Sequence, residues 1–201
     1  MKKIPTLFER VFENHKIVGI NPIIIEGCKE AFINGVATVK YDGSCCAFIK
    51  RELYKRYDAK NGKPIPEGAI KCQDLPDPIT GHLPCWVKCD VNNPSDKWFI
   101  EAANYVAEGK YKSEYDIYKT EPIIDLATFE AIGKHFNGNP YGLDHDEVIK
   151  HGDNIIEVER TFEGIKQYLE ENYIEGIVFW FKGEPVCKIK RTDFGFKWGN
   201  K

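Results

Sequence analysis

The chain contains the stretch Val36-Ala37-Thr38-Val39-Lys40-Tyr41-Asp42-Gly43, in which a lysine ends a β-patterned run and a turn follows directly. The β-branched residues of this run favour an extended strand. Asp-Gly is a typical pair for a tight turn, and the residues from Cys45 to Leu53 have the pattern of a returning strand. The sequence therefore predicts a strand that carries Lys40 at its end, followed by a reversal of the chain.

Three later segments place charged side chains in or beside apolar runs. They are, in chain order, Thr128-Phe129-Glu130-Ala131-Ile132-Gly133, Glu175-Gly176-Ile177-Val178 and Lys188-Ile189-Lys190. A carboxylate such as Glu175 next to an apolar strand is costly unless it binds a cation or a metal. Strand alternation puts Lys188 and Lys190 on the same face. Each pattern taken alone is also typical of a turn, a cap or a charged sheet edge, so their weight lies in their combination.

The charge is unevenly distributed along this chain of 201 residues with a net charge of -3. Residues 40–63 contain seven Lys or Arg and three acids, and residues 182–201 contain six and two. Residues 144–175 contain ten acids and three bases. The overall charge excludes a uniformly basic nucleic-acid binder, whereas the two basic segments are what a polyphosphate site needs.

The seven cysteines form an odd set without a regular framework, which favours reduced thiols in a cytoplasm-like compartment. The nearest approach to a zinc pattern is Cys72, His82, Cys85 and Cys89, but it lacks a C-x-x-C knuckle, so we do not expect a zinc site there. No apolar run is long enough to predict a membrane span.

Apolar periodicity predicts several further elements. Thr6 and Glu9 form a capping-box pattern, which predicts a short helix through Phe12. Residues 61–94 are rich in Gly and Pro and predict a loop or lid with apolar anchors. Ser95 is the predicted start of a helix that ends at Gly109.

The last part of the chain is predicted to form a helix and a hairpin. The helix follows Thr161, and the hairpin joins Ile177–Phe181 to Val186–Lys190 through a turn at residues 182–185. We find no internal repeat and no domain boundary. The expected fold is a single α+β domain over residues 1–201, with mainly antiparallel sheets, flanking helices and a central nucleotide cleft.

The motifs together resemble motifs I, III, IV and V of the covalent nucleotidyltransferases, the superfamily of DNA ligases, RNA ligases and mRNA capping enzymes. Two segments are similar to small 5′-to-3′ RNA ligases: Lys40-Tyr41-Asp42-Gly43-Ser44-Cys45-Cys46, which matches K-x-D-G-[ST]-C-C, and Glu130 to Gly142, which looks like E-L-I-G…N-P-Y-G with Ala131 in place of the leucine. The resemblance implies an ATP-grasp-like nucleotidyltransferase fold. Only eleven residues follow Lys190, so we expect no C-terminal OB domain.

The resemblance also implies a role for individual residues. Lys40 would be the amine that becomes adenylated, and Lys188 and Lys190 would hold the α-phosphate and promote the nucleophilic form of Lys40. Glu175 would be linked to the metal. Glu130 would contact the ribose hydroxyls and contribute to metal binding.

Four further expectations concern the nucleotide. Thr38 and Val39 would line its site, and Arg56 would touch the ribose or the phosphates, with Lys55 and Arg51 near enough to replace it. The aromatic residue that stacks on adenine is not assigned, and the candidates are Phe136, Tyr141, His145 and Phe162.

The implied cofactors are ATP, as the source of a covalent AMP, and Mg²⁺ or Mn²⁺. The implied partners are RNA ends with a 5′-phosphate and a 3′-hydroxyl, with no membrane and no obligatory protein partner. The predicted function is therefore an ATP-dependent RNA ligase, which forms phosphoric ester bonds. The open alternatives are an adenylyltransferase that acts on a non-nucleic-acid acceptor, a DNA/RNA nick ligase, and a nucleotide-binding module without catalysis.

Overall fold

The computed structural model describes residues 2–14, 16–60, 63–78, 80–107 and 126–199. The chain forms two compact units, each assembled from separate parts of the sequence. The four-strand unit comprises Ile4–Tyr41 and Gly152–Lys201, and the six-strand unit comprises Met1–Lys3 and Asp42–His151. The chain passes from one unit to the other between Tyr41 and Asp42, inside the K-x-D-G motif.

The described residues of the four-strand unit, which is named after its larger sheet, form the elements β1 (Phe8–Glu13), β2 (Lys16–Ile24), α1 (Lys29–Asn34), β3 (Val36–Lys40), β10 (Ile155–Ile156), α3 (Phe162–Glu171), β11 (Gly176–Phe181) and β12 (Glu184–Lys190). The strands β1 and β2 form a two-stranded antiparallel ribbon. The larger antiparallel sheet has the order β10-β3-β11-β12.

Local sequence signals explain most of this unit. The predicted strand over Val36–Lys40, the predicted hairpin and the predicted helix after Thr161 are all confirmed. Thr161 caps α3, because its hydroxyl oxygen accepts the Gly164 N–H at 3.0 Å. Cys187 and Ile189 are fully buried in the core, so the neighbouring lysines of β12 lie on the opposite face.

The predicted N-terminal helix is wrong, because residues from Phe8 onward form a strand. The Leu7 N–H donates to the Lys188 carbonyl at 2.7 Å, and the Lys188 N–H donates to the Pro5 carbonyl at 3.0 Å. These bonds tie the segment to β12, while β1 pairs with β2. Long-range pairing and the burial of Leu7 and Phe8 therefore override the local capping-box signal.

The six-strand unit is built around one antiparallel sheet with the order β6-β7-β5-β4-β8-β9. Residues 44–49 and 52–59 form separate strands, so the strand predicted from Cys45 to Leu53 is interrupted by a turn at Lys50 and Arg51. The elements are β4 (Ser44–Ile49), β5 (Glu52–Ala59), β6 (Ile70–Lys71), β7 (Leu83–Lys88), α2 (Lys97–Ala107), β8 (Leu126–Gly133) and β9 (Asp146–Lys150).

The interpretation of residues 61–94 as a loop is wrong in its second half. Residues 83–88 form β7, which pairs with β5 in the interior of the sheet. Trp86 is 2% exposed and explains why this Pro-rich segment is ordered as a strand. The helix predicted after Ser95 is confirmed and starts at Lys97, and its predicted end at Gly109 lies outside the described residues.

One face of the six-stranded sheet packs on α2 through a core that includes Cys46, Phe129 and Ala102.

The protein is an α+β structure with mainly antiparallel sheets and few helices. All seven cysteines carry free thiols. Within the described part of the chain, no helix has the length and apolar character needed to cross a membrane.

Candidate active site

Strand register brings the end of β3 beside the start of β11 and the end of β12. Gly176 lies directly opposite Lys40 on one side and Lys190 on the other. A Cβ atom at Gly176 would collide with the Ile189 carbonyl, so only glycine permits this close approach of the strands. The glycine of the Glu175-Gly176 motif is therefore required sterically. It lets the neighbouring strands approach β11, so that Lys40 and Lys190 lie on either side of Glu175.

Glu175 is a buried carboxylate that holds both lysines. Its Oε2 atom lies 2.5 Å from Lys40 Nζ, and its Oε1 atom lies 2.6 Å from Lys190 Nζ. The side chain is 3% exposed, so these two ion pairs compensate the cost of removing its charge from water. The three residues come from positions up to 150 apart in the sequence, and the structure brings them together in one cluster.

Lys188 lies on the same face, one register step along the sheet. Thr38, Val178 and Lys188 form a cross-strand row beside the row that contains Lys40 and Lys190. Among the described residues, the Lys188 ammonium has no hydrogen bond or ion pair. Burial and the charges of Lys40 and Lys190 lower the pKa of Lys188 to about 8. An uncompensated cation among other cations is suited to bind an anion.

The end of β12 is fixed by a second carboxylate. Asp193 Oδ2 accepts the Lys190 N–H at 2.9 Å, and its Oδ1 accepts from Arg10 Nη2 at 3.0 Å. Asp193 is 7% exposed, whereas the Arg10 side chain remains partly exposed. Arg10 also contributes to the positive potential around Lys188.

Thr38 and Val39, the two residues of β3 that were predicted to line the nucleotide site, lie on opposite faces of the strand. Thr38 is on the lysine face, where its hydroxyl oxygen accepts from Trp180 Nε1 at 2.9 Å. The side chain of Val39 lies on the opposite face, because Val39 pairs with the buried Ile177. The sequence analysis missed Trp180, although the alternation Gly176, Val178, Trp180 places it on the lysine face.

In the six-strand unit, several side chains hold the Asp42-Gly43 turn. The Gly43 N–H donates to Glu130 Oε1 at 3.0 Å, and the Asp42 N–H donates to the Tyr141 hydroxyl at 2.6 Å. Asn137 Nδ2 donates to Asp42 Oδ1 at 2.9 Å and to the Gly43 carbonyl at 2.7 Å. A Cβ at Gly43 would collide with the Ala131 carbonyl, which explains the glycine of K-x-D-G.

These contacts give a physical meaning to the Asn137-to-Gly142 segment. Asn137 and Asn139 both have positive φ angles, of 46° and 52°, which asparagine tolerates better than most residues. The sequence analysis noted the segment only as part of a resemblance. Its enrichment in Asn and Gly was the signal for a tight turn whose side chains are available for hydrogen bonds to a neighbouring backbone.

Glu130 lies beside an imidazole and a thiol. Its Oε2 atom is 3.0 Å from His151 Nε2, and His151 Nδ1 is 3.1 Å from the Thr128 hydroxyl. Cys45 is the cross-strand neighbour of Glu130, and the ligand atoms of Cys45, Glu130 and His151 all lie within 4.8 Å of one another. The sequence analysis did not single out His151, which follows β9 without a recognisable motif.

The three candidates for contact with the ribose or the phosphates, Arg56, Lys55 and Arg51, lie in different positions. Arg56 shares the sheet face of Cys45, and its Nε donates to Asp58 at 2.7 Å. Lys55 lies on the other face, where it pairs with the buried Asp96. Arg51 is in the turn between β4 and β5 with a positive φ of 70°. Of the three, Arg56 is the one that shares a face with Glu130.

The four candidates for stacking on adenine lie in four different environments. Phe136 is 5% exposed and belongs to the core beneath α2. Phe162 packs edge-on against Phe8 with ring centroids 5.0 Å apart. His145 stacks on Tyr105 at 4.1 Å, and Asp144 and Glu147 raise its pKa. The fourth, Tyr141, bonds the motif I turn through its hydroxyl.

A hard-cation site requires oxygen ligands, and Glu175 provides two carboxylate oxygens. Mg²⁺ is commonly held by one or two carboxylates together with substrate phosphates, so Glu175 has the donor chemistry of the expected ion, while Lys40 and Lys190 hold both of its oxygens in the free protein. The oxygens of Glu130 are likewise engaged, one by the Gly43 N–H and the other by the His151 ring. Within the described ranges, Cys72, His82, Cys85 and Cys89 do not form a ligand group.

Comparison with known proteins gives a consistent result. The family model described as RNA ligase 1 matches residues 63–201. Proteins named RNA ligase 1 from Danio rerio and Pongo abelii are 28% and 24% identical to the chain, over 71% and 94% of its length. The similar region spans 46% of the Danio rerio protein, about half its length, and 76% of the Pongo abelii protein. The similarity that the motifs indicated is thus confirmed at the level of the family, and the chain belongs to the RNA ligase 1 family.

Proposed function

We propose that the protein is an ATP-dependent RNA ligase that joins a 5′-phosphate to a 3′-hydroxyl through a covalent lysine-AMP intermediate. The observation that carries this proposal is the cluster of Lys40, Lys188 and Lys190 around the buried Glu175, at the end of the strand that enters K-x-D-G. A nucleophilic amine beside further cations on one sheet face is what attack on a phosphate requires.

In the first step, the Lys40 amine loses a proton and its nitrogen attacks the α-phosphorus of ATP. A nitrogen–phosphorus bond forms, the bond to the bridging oxygen breaks, and pyrophosphate leaves. In the free protein Lys40 is paired with Glu175, so the Glu175 carboxylate is the group that is positioned to receive this proton. Lys188 and Lys190 stabilise the charge that develops on the phosphate.

Two further transfers complete the proposed reaction. The AMP passes from Lys40 to the 5′-phosphate of an RNA end, which restores the free amine. The 3′-hydroxyl of the second end then attacks the activated 5′-phosphate, and AMP leaves. Both steps transfer charge at a phosphorus atom, so the same lysines serve in each.

A bound Mg²⁺ or Mn²⁺ would neutralise charge on the reacting phosphates. Glu175 is the residue we propose to hold it. Conversion of Lys40 into a phosphoramidate leaves its nitrogen uncharged and removes one of the two cations that pair with Glu175; once the proton taken from Lys40 has passed to solvent, Oε2 is available for another positive charge. Glu175 therefore has a role before and after the first transfer.

Glu130 is proposed to bind the ribose of ATP, which leads to a testable difference between nucleotides. We expect Glu130→Ala to lower kcat/KM for adenylation by roughly tenfold with ATP, the worth of a hydrogen bond to a charged group. With 2′-deoxy- or 3′-deoxy-ATP the loss should be smaller, because one partner hydroxyl is already missing. Glu101→Ala, which removes a half-exposed helix carboxylate, is the control. Equal losses on all three nucleotides would contradict a ribose role.

The lowered pKa of Lys188 leads to a prediction of how the affinity for nucleotide depends on pH. Its pKa of about 8 means that the ammonium is charged below pH 8 and loses its charge as the pH rises above that value. Affinity for an ATP analogue with a non-cleavable α,β-bridge should therefore fall by about tenfold between pH 7 and pH 9. Lys188→Arg should remove this dependence, because arginine stays charged. A variant with the same slope as the wild type would show that another group is responsible.

The test of the whole proposal is a matched set of 5′-phosphorylated strands with ribose or deoxyribose at the 3′-end. We expect joining to require the ribose end, because a 2′-hydroxyl can be recognised as donor and acceptor. Binding through phosphate contacts should also weaken as salt is increased. Lys40→Ala is the negative control.

Two results would contradict the RNA assignment. Efficient joining of all-DNA nicks, with no gain from a terminal ribose, would make the protein a nick ligase of broader substrate range. Labelled AMP that appears on a protein or a small molecule, and never on a 5′-phosphorylated strand, would instead identify an adenylyltransferase with another acceptor.

A further inference from the structure

A thiol, a carboxylate and an imidazole meet on one face of the six-stranded sheet. Cys45 is in β4, Glu130 is in β8, and His151 directly follows β9, so the three residues come from adjacent strands. Cys45 and Glu130 are direct cross-strand partners, and the His151 N–H donates to the Thr128 carbonyl at 3.0 Å. All three are partly buried, and their ligand atoms lie within 4.8 Å of one another.

We propose that Cys45, Glu130 and His151 form a binding site for a divalent cation of the zinc class. Bonds of about 2.0 to 2.3 Å to a tetrahedral zinc ion place neighbouring ligand atoms roughly 3.3 to 3.8 Å apart. The distance of 3.0 Å between Glu130 Oε2 and His151 Nε2 is that of a hydrogen bond, and the two atoms would separate by a few tenths of an ångström around an ion. Three protein ligands leave the fourth position to water, as in zinc sites that remain open.

The surroundings of the trio orient each ligand. The hydrogen-bond roles of the His151 ring depend on its tautomer: in the free protein Nε2 donates to Glu130 Oε2, and in the metal-bound form Nδ1 would donate to the Thr128 hydroxyl and leave the Nε2 lone pair for the ion. Glu130 Oε1 accepts the Gly43 N–H, which leaves Oε2 for the metal. Such outer hydrogen bonds fix the tautomer and the ring orientation of a metal-binding histidine. A histidine with a purely structural role would not need a thiol close to its Nε2 atom.

The donor set decides between classes of cation. Mg²⁺ and Ca²⁺ take oxygen ligands, whereas a set of sulfur, nitrogen and oxygen suits zinc, cobalt or iron. Burial and the Glu130 carboxylate raise the pKa of Cys45 to about 12, so the thiol is protonated in the free protein. Metal binding therefore releases one proton from sulfur to solvent, and the cation offsets the two negative charges that then face each other.

The site has a consequence that rests on the proposed function. A zinc-class ion would occupy Glu130 Oε2, the atom that is available for a ribose hydroxyl. We therefore expect such an ion to compete with ATP, in contrast to Mg²⁺ or Mn²⁺, which are expected to act at Glu175. Zinc would then inhibit adenylation without displacing the catalytic metal.

The test uses Co²⁺ as a spectroscopic substitute for Zn²⁺, added to the full chain without ATP. We expect one equivalent to bind with a thiolate-to-cobalt charge-transfer band that Zn²⁺ abolishes. Cys45→Ser should eliminate the band, and His151→Gln should weaken Co²⁺ binding at least tenfold. The matched controls are Cys89→Ser and His145→Gln, which remove a partly buried thiol and a half-buried imidazole outside the trio and should leave binding unchanged.

Thermal unfolding of each variant, followed by circular dichroism, checks that the fold is retained. The proposal is overturned if the folded wild type shows no charge-transfer band, or if the band survives Cys45→Ser. It is also overturned if Cys89→Ser removes the band. Because no ATP is present, a failure of the ligase proposal does not affect this result: Lys40→Ala should bind Co²⁺ as the wild type does.

Discussion

Replacing Lys40 by alanine is expected to abolish the covalent AMP adduct completely. Lys40 is the amine at the end of β3, 2.5 Å from Glu175 and directly before the K-x-D-G turn. Lys190 is held by the other oxygen of the same carboxylate, and Lys188, whose pKa is lowered to about 8, is the other amine on this face that the mapping must exclude. Intact mass after incubation with ATP and Mg²⁺ or Mn²⁺ measures the adduct, and peptide mapping assigns it to a residue.

The control for this experiment is Lys182→Ala, which removes an exposed lysine in the turn between β11 and β12. This variant should form the adduct at the wild-type level. Lys40→Ala should also remain folded, because Glu175 keeps Lys190 as a partner; we expect a loss of about 1–3 kcal/mol in the free energy of unfolding. An adduct that maps to another lysine in the wild type would refute the assignment of Lys40.

Replacing Glu175 by glutamine is expected to impair every step of the reaction. Glutamine keeps the size of the side chain but removes the charge that Lys40 and Lys190 share. It also removes an anion that raises the pKa of Lys188, so that Lys188 loses its charge at a lower pH. We expect a loss of about 10²-fold in adenylation and a similar loss in sealing.

The two steps can be measured separately. Single-turnover formation of the lysine-AMP reports the first, and sealing of RNA that already carries a 5′-adenylate reports the last. Glu184→Gln, an exposed carboxylate at the start of β12, is the control and should behave as the wild type. If Glu175→Gln sealed pre-adenylated RNA normally, the role of Glu175 would be restricted to the first transfer.

The chemistry of the candidate site was accessible from the sequence because it depends on local patterns. Strand alternation places Lys188 and Lys190 on one face whatever the rest of the fold is. The Thr161 cap and the apolar stripe that follows it likewise predicted α3, and a Lys-Gly turn between two apolar runs predicted the β11–β12 hairpin. These elements are determined by residues that are close together in the chain.

Predictions that depended on long-range pairing were less successful. Residues 8–13 have a local helix signal but form a strand, because backbone donors and acceptors in β2 and near Lys188 are available to them. Residues 83–88 look like part of a Pro-rich loop but pair with β5, and the burial of Trp86 stabilises that pairing. Propensity is a weak prior when distant strands provide the partners.

The sequence by itself indicated the candidate reactive residues, the lysine face of β12 and the family to which the motifs point. Only the tertiary structure decided which side chains surround those residues. The contact of Glu175 with Lys40 spans 135 positions, and the contact of Asn137 with Asp42 spans 95. The approach of His151 to Glu130 was equally hidden, because no local pattern relates the two residues. Such contacts are set by strand order and register, which arise when the whole sheet assembles and which no short segment encodes.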